Sequence, residues 1–174
     1  MLSLYPPRAV FFAMVGFIAA CFATALYTQY VGGLNPCPLC MTQRVFYVLT
    51  AAIALLAAIH NRGVRIYGGL CALSALAGAA VAGRQVWLQH LPPNEVPACG
   101  PSLEYMLETL PFGDVLLHMI KGDGNCAVID WRFLGLSMAE WSLLCFIALA
   151  LISVLLAVVP KLFGSALRSI GRSQ

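Results

Sequence analysis

Charge is what this sequence has least of. Only 10% of its 174 residues are Asp, Glu, Lys or Arg, against about 25% in an ordinary soluble domain. Mean hydropathy is +0.86, and 61% of the residues are hydrophobic. So little charge over such a length excludes a soluble globule and a disordered chain, and leaves no basic surface for nucleic acid. Acidic residues are absent from both ends: all seven lie between Glu95 and Glu140, where only Lys121 and Arg132 oppose them. No repeat of about 20–50 residues is present, which excludes solenoids and repeat-built transporters. Few metal-ligating side chains fall inside the apolar runs, which argues against a membrane metal-binding or transport protein.

What is present is four apolar runs, at about 10–30, 43–59, 66–88 and 141–159. Each approaches the ~20 residues that a helix needs to cross hydrocarbon. The expected fold is all-α: a single membrane domain over 1–174, a bundle of four transmembrane helices. Arg8 with Ala23-Thr24-Ala25 imitates a cleaved leader, but removing that run would leave an odd number of spans. Apart from Lys121 and Arg132 in the acidic segment, the basic residues outside the spans gather at the N-terminus, at Arg62–Arg65 and in the tail at Lys161, Arg168 and Arg172. The positive-inside rule places these, and both termini, in the cytoplasm. Loops at about 31–42 and 89–140 then face outward. In the second loop Leu103, Met106, Leu107 and Leu110 recur at helical spacing after Pro101-Ser102, and Asp114–Lys121 carries a second apolar side. Both predict short amphipathic helices lying on the outer leaflet. Small residues crowd the third run, among them Gly68, Gly69, Gly78 and Gly83, and favour close helix packing.

Seven cysteines remain. Cys21, Cys71 and Cys145 fall within predicted spans and read as small hydrophobic filler. Cys37, Cys40, Cys99 and Cys126 fall in the two outward loops, in an oxidising compartment. Asn35, Pro36 and Pro38 are turn and helix-start residues. Cys37 is therefore expected near a helix N-cap with Cys40 in the first turn, where unpaired N–H groups and the helix dipole stabilise a thiolate. Arg44 stands one turn beyond Cys40 on the same face and adds a fixed positive charge. Three readings compete for these four thiols. Two inert staples suit Cys99 and Cys126 better than the tight Cys37–Cys40 ring. A four-thiolate zinc site matches by count, but Cys99 and Cys126 are 27 positions apart rather than a second Cys-x-x-Cys. Thiol–disulfide exchange between a loop pair and a membrane-edge pair is the third.

Four spans, Cys37-x-x-Cys40 with Arg44 entering the second, Cys99 and Cys126 in the long loop, and the run Trp131-Arg132-Phe133-Leu134-Gly135-Leu136-Ser137-Met138-Ala139-Glu140-Trp141 together resemble the bacterial disulfide bond formation protein B (DsbB) family. The resemblance extends from the first span to the fourth. It implies a thiol–disulfide oxidoreductase of the bacterial inner membrane, with its redox loops facing the periplasm. It also implies that Cys99 and Cys126 form the disulfide that reoxidises a DsbA-type partner, Cys99 being the sulfur attacked. Cys126 would then pass the electrons to Cys37, and Cys40 would reduce a membrane quinone, ubiquinone or menaquinone. Arg44 and His90 match quinone-contacting positions, and no metal is implied. A paralogous oxidase serving a dedicated partner is the nearer alternative. Arg84 fits either an electrostatic or a packing role, and Gln85 and Gln89 are weaker candidates for the same site.

Overall fold

The computed structural model describes residues 7–100 and 103–159. The tail cations Lys161, Arg168 and Arg172, and the Pro101-Ser102 helix-start signal, lie outside the described residues. Four long helices form the body: α1 (Pro7–Tyr30), α2 (Pro38–His60), α3 (Val64–Gln89) and α6 (Met138–Val158). All four are long and apolar enough to cross a membrane. Two short helices, α4 (Leu103–Thr109) and α5 (Phe112–Lys121), precede a 3-10 turn at Gly124–Ala127. A two-residue hairpin, β1 (Arg132–Phe133) and β2 (Leu136–Ser137), then leads into α6.

Helix ends follow local chemistry. Pro38 opens α2 with Cys37 at the N-cap, because proline at the first position gives up only an N–H that is unpaired there anyway. The helix thus starts five residues before the expected span and carries Cys40 within it. At the opposite end Asn61 caps α2 in the left-handed region, with its N–H on the Ala57 carbonyl, and Gly63 at φ 66° begins α3. α6 starts on a reciprocal capping box, Ser137 Oγ accepting from the Glu140 N–H while the Glu140 carboxylate accepts from the Ser137 N–H. The Ser-x-x-Glu pattern was legible in the sequence, yet the spans alone placed this start three residues later. The hairpin turn holds both Leu134 (φ 51°) and Gly135 (φ 85°) left-handed, as a two-residue hairpin loop requires.

α3 is the central helix, packing most extensively against α6 and next against α2, while α1 packs on α2. Its small residues are the reason. A methyl group on Gly68 would lie 2.9 Å from the Ala157 nitrogen and 3.0 Å from the Ser153 carbonyl oxygen, and one on Gly78 would enter the Phe146 ring. Gly69 and Gly83 have open space instead. Tyr47 of α2 stacks on Phe146 with centroids 4.1 Å apart, and Thr50 shares a 2.8 Å hydrogen bond with Ser74. The helix order brings the N-termini of α2 and α6 and the C-terminus of α3 to one end, together with α4 and α5. Arg8 and the Arg62–Arg65 turn lie at the other end. Gly68→Ala should destabilise by about 1–3 kcal/mol through overpacking, whereas Gly69→Ala should be close to neutral; denaturant unfolding in detergent checks the pair.

Candidate functional site

The loop is fastened to the bundle by side chains that rise from α2 and α3. Thr42 donates to the Met119 carbonyl at 3.0 Å, and Arg84 Nε donates to the Lys121 carbonyl at 3.3 Å. Arg84 also lies over the Trp87 ring, 4.4 Å from its centroid. Its role is therefore to dock the last turn of α5, where a cation complements the helix dipole. Gly122, at φ 72°, sits where any side chain would strike Leu39 and Leu88. The 3-10 turn is pressed down beyond it, and Cys37, Leu39, Leu88 and Cys126 form one buried cluster.

Asp123 shapes the turn. Its buried carboxylate accepts from the Gly100 N–H at 3.2 Å and the Asn125 N–H at 3.0 Å. Gly124 N–H bonds to the Ala98 carbonyl, and a methyl group on Gly124 would fall 3.2 Å from the Cys99 sulfur. The segment carrying Cys99 is thus clipped beside the turn carrying Cys126. Cys99 is exposed and Cys126 fully buried, and all seven cysteines are free thiols in this structure.

The Cys126 sulfur rests on the N-terminus of α2. It packs against the Cys37 sulfur and Leu39. That contact with Cys37 is the main cause holding the Cys126 thiol below its ordinary range, with the backbone N–H groups of Leu39 and Asp123 adding to it against burial. Cys37 is pushed the other way, chiefly by Cys126 and then by its contact with Cys40 and burial. The sequence led to the expectation that the helix end serves a thiolate of its own Cys-x-x-Cys pair. The structure gives that end to Cys126, because the Cys37 side chain makes no capping hydrogen bond.

Cys37 and Cys40 have their sulfurs 3.2 Å apart. Gln85 of α3 crosses beneath them, its Nε2 3.4 Å from Cys37 Sγ and 3.2 Å from Cys40 Sγ. Gln43 Nε2 donates to Gln85 Oε1 at 2.6 Å, and the Cys40 thiol reaches the same oxygen at 3.5 Å. Sequence reading undervalued Gln85 and passed over Gln43. The usable signal was two uncharged amides in apolar spans, where an unpaired polar group is costly.

A cavity of about 330 Å³ opens beside this pair, lined by Cys37, Cys40, Gln43, Arg44 and Gln85 together with α1 and α6 side chains such as Phe22, Gln29 and Trp141. That size, with apolar walls and a few converging polar groups, suits a small-molecule ring. Arg44 Nη1 donates to Gln29 Oε1 at 2.5 Å and Nη2 to the Ala25 carbonyl at 3.3 Å, so α1 holds the guanidinium at the cavity wall. His90 stands apart. It caps α3 with a ring nitrogen 2.8 Å from the Val86 carbonyl oxygen, and the cavity is lined by its neighbour Gln89 instead. The structure therefore brings together Cys37, Cys40, Cys126 and Arg44, with Cys99 alongside, and leaves His90 outside.

The family model described as "Disulfide bond formation protein DsbB" matches residues 7–156. Curated relatives named "Disulfide bond formation protein B" are similar over most of the chain. That of Methylococcus capsulatus is 49% identical over 157 residues, covering 88% of this chain and 96% of its own length. That of Azoarcus sp. strain BH72 is 49% identical over 164 residues, covering 92% and 95%. That of Hahella chejuensis is 50% identical over 143 residues, covering 80% and 87%.

Replacing Cys37 by alanine removes the thiol packed against Cys126. The pH midpoint for alkylation of Cys126, followed by peptide mass mapping, should rise toward that of an ordinary thiol. An unmoved midpoint would mean that the backbone N–H groups alone set it.

Proposed function

The chain belongs to the disulfide bond formation protein DsbB family and is a disulfide oxidoreductase of the membrane; from that premise we propose that Cys99, Cys126, Cys37 and Cys40 form a relay from a soluble dithiol to a membrane quinone. The dithiol is that of a DsbA-type partner on the periplasmic side of the inner membrane, and 1–174 works as one membrane domain. Cys99, the exposed member, takes the partner thiolate, and the Cys99–Cys126 bond breaks to release Cys126 as thiolate. That sulfur then attacks Cys37 in a Cys37–Cys40 disulfide, expelling Cys40 as thiolate. The observation that carries this reading is the seat of Cys126 against Cys37, which with Cys40 lines the Arg44 cavity.

Each residue has a definable part. The Leu39 N–H stabilises charge on Cys126 when it leaves Cys99. Gln85 donates to Cys40 as charge develops there, since a hydrogen bond to a charged sulfur is stronger than one to a neutral group. Arg44 supports negative charge at the cavity wall. The cavity residues fit a quinone head: apolar walls, a guanidinium, an amide and the Cys40 sulfur in one space. A quinone bound there supplies the acceptor for two electrons and two protons. Such an acceptor is needed because DsbA, at about −120 mV, is itself a strong oxidant, and each 30 mV of difference is about 1.4 kcal/mol for two electrons.

The test is optical quinone reduction by the purified protein with a reduced DsbA-type partner. Cys40→Ser should abolish turnover while the protein stays folded; retained turnover would remove the relay. Arg44→Ala should raise the KM for quinone about tenfold or more, and an unchanged KM would reduce the arginine to a tie between α1 and α2. Gln85→Leu should lower kcat by about tenfold to a hundredfold, the worth of a hydrogen bond to a charged group. An unaffected kcat would leave Gln85 a packing residue.

A further inference from the structure

Three thiols play no part in the relay, and two of them meet. Cys21 of α1 and Cys145 of α6 are 124 positions apart in sequence, yet their sulfurs approach to 3.8 Å. Both line the same cavity as Cys40 and Arg44. By helical rise they lie about 13 Å below the end of α1 and about 10 Å below the start of α6, at the deep side of that space. α1 packs chiefly on α2 and α6 chiefly on α3, so the pair stands where two weakly associated spans face one another. Cys71 shows the contrast: it is fully buried within α3 and its sulfur meets only the Thr50 carbonyl, at 3.9 Å.

We propose that Cys21 and Cys145 are a second redox dithiol, oxidised directly by a quinone in the cavity to a disulfide that ties α1 to α6. The proposal rests on the quinone reading of the cavity. The reaction balances within those partners. Both S–H bonds break and one S–S bond forms, and the two electrons and two protons pass to the quinone, which leaves as quinol. The sulfurs must close from 3.8 Å to about 2.05 Å. Tyr47 places its hydroxyl 3.3 Å from the Ser142 carbonyl oxygen, one helical turn before Cys145, which gives the departing proton a polar neighbour in an apolar wall. Once formed, the disulfide would clamp the seam beside the quinone site, so that the fit of the cavity follows the oxidation state of the quinone pool.

The experiment uses the full chain in detergent with Cys37, Cys40, Cys99 and Cys126 all replaced by serine, which removes the relay. The reduced protein is incubated with a short-chain quinone, alkylated, digested and mapped by mass spectrometry, while quinone absorbance is followed. The expected result is a disulfide-linked peptide joining α1 to α6, joint loss of the Cys21 and Cys145 thiols, and one quinone reduced per chain. Adding Cys21→Ala should abolish all three. Thiols that stay alkylatable, or a linkage that forms equally without quinone, would overturn the proposal. The unsubstituted protein is mapped in parallel and assayed with the reduced DsbA-type partner. If it reduces quinone and yet forms no α1–α6 linkage, this inference alone falls; if no quinone is reduced in either sample, the relay reading falls with it.

Discussion

A sulfur seated on the positive end of a helix is the contact on which the loop end depends. The first turn of α2 presents N–H groups that have no partner within the helix. Pro38 removes one of them by having no N–H, and the Cys37 side chain caps none. The Leu39 N–H finds its acceptor 87 positions away, in Cys126. Seating that sulfur sets requirements on everything around it. Gly122 must lack a side chain to let the turn lie on Leu39 and Leu88, and Gly124 must lack one to let residues 97–99 pass. Asp123 must tie Gly100 to Asn125. The loop is long, but its fixed points are few and converge on one thiol.

The second constraint is an amide inside the bilayer. A buried glutamine in a span is costly unless its donors and acceptor are used. Gln43 and Gln85 solve this jointly, one donating to the other, and the remaining Gln85 donors turn toward sulfur. No buried side-chain nitrogen or oxygen among the described residues lacks a partner. Oε1 is shared between Gln43 at 2.6 Å and the Cys40 thiol at 3.5 Å, so the closer contacts that Gln85 makes with sulfur are those of its Nε2 donor.

Much of this was legible from the residues. Four spans followed from run length, and the shared location of the two cysteine pairs followed from the helix count. The amphipathic pattern around Val115 foretold α5, with Val115 as its buried residue. What escaped was set by contacts between distant segments. No local pattern says that Cys126 rather than Cys37 takes the α2 N-terminus. None says that Arg84 reaches the Lys121 carbonyl or that Arg44 is held by Gln29 of α1. The start of α2 was legible from Asn35, Pro36 and Pro38, which put Cys37 at the N-cap and Cys40 in the first turn, although the hydropathy signal itself fades at Pro38-Leu39-Cys40. The hairpin at Arg132–Ser137 was hidden because strands of two residues have no periodicity to read.

The placement of the thiols also resolves a conflict between leaving and attacking. A sulfur with a lowered pKa leaves a disulfide faster but is intrinsically a poorer nucleophile. In the proposed relay Cys126 does both in turn, leaving Cys99 and then attacking Cys37. The Cys37 contact and the Leu39 N–H favour the first role. The second is served by position, because Cys126 is packed against the sulfur it would attack, and holding reactants in contact is worth far more than the nucleophilicity lost. Under the same proposal Cys99 has the opposite need: a soluble partner would have to reach it, and it alone of the four is exposed. Exposure falls from Cys99 to the buried cluster of Cys37 and Cys126, and Cys40 stands on the cavity wall. Electrons passed along that order would leave water before meeting a lipid-soluble acceptor, and the thiolates carrying them would be sheltered from adventitious oxidants along the way.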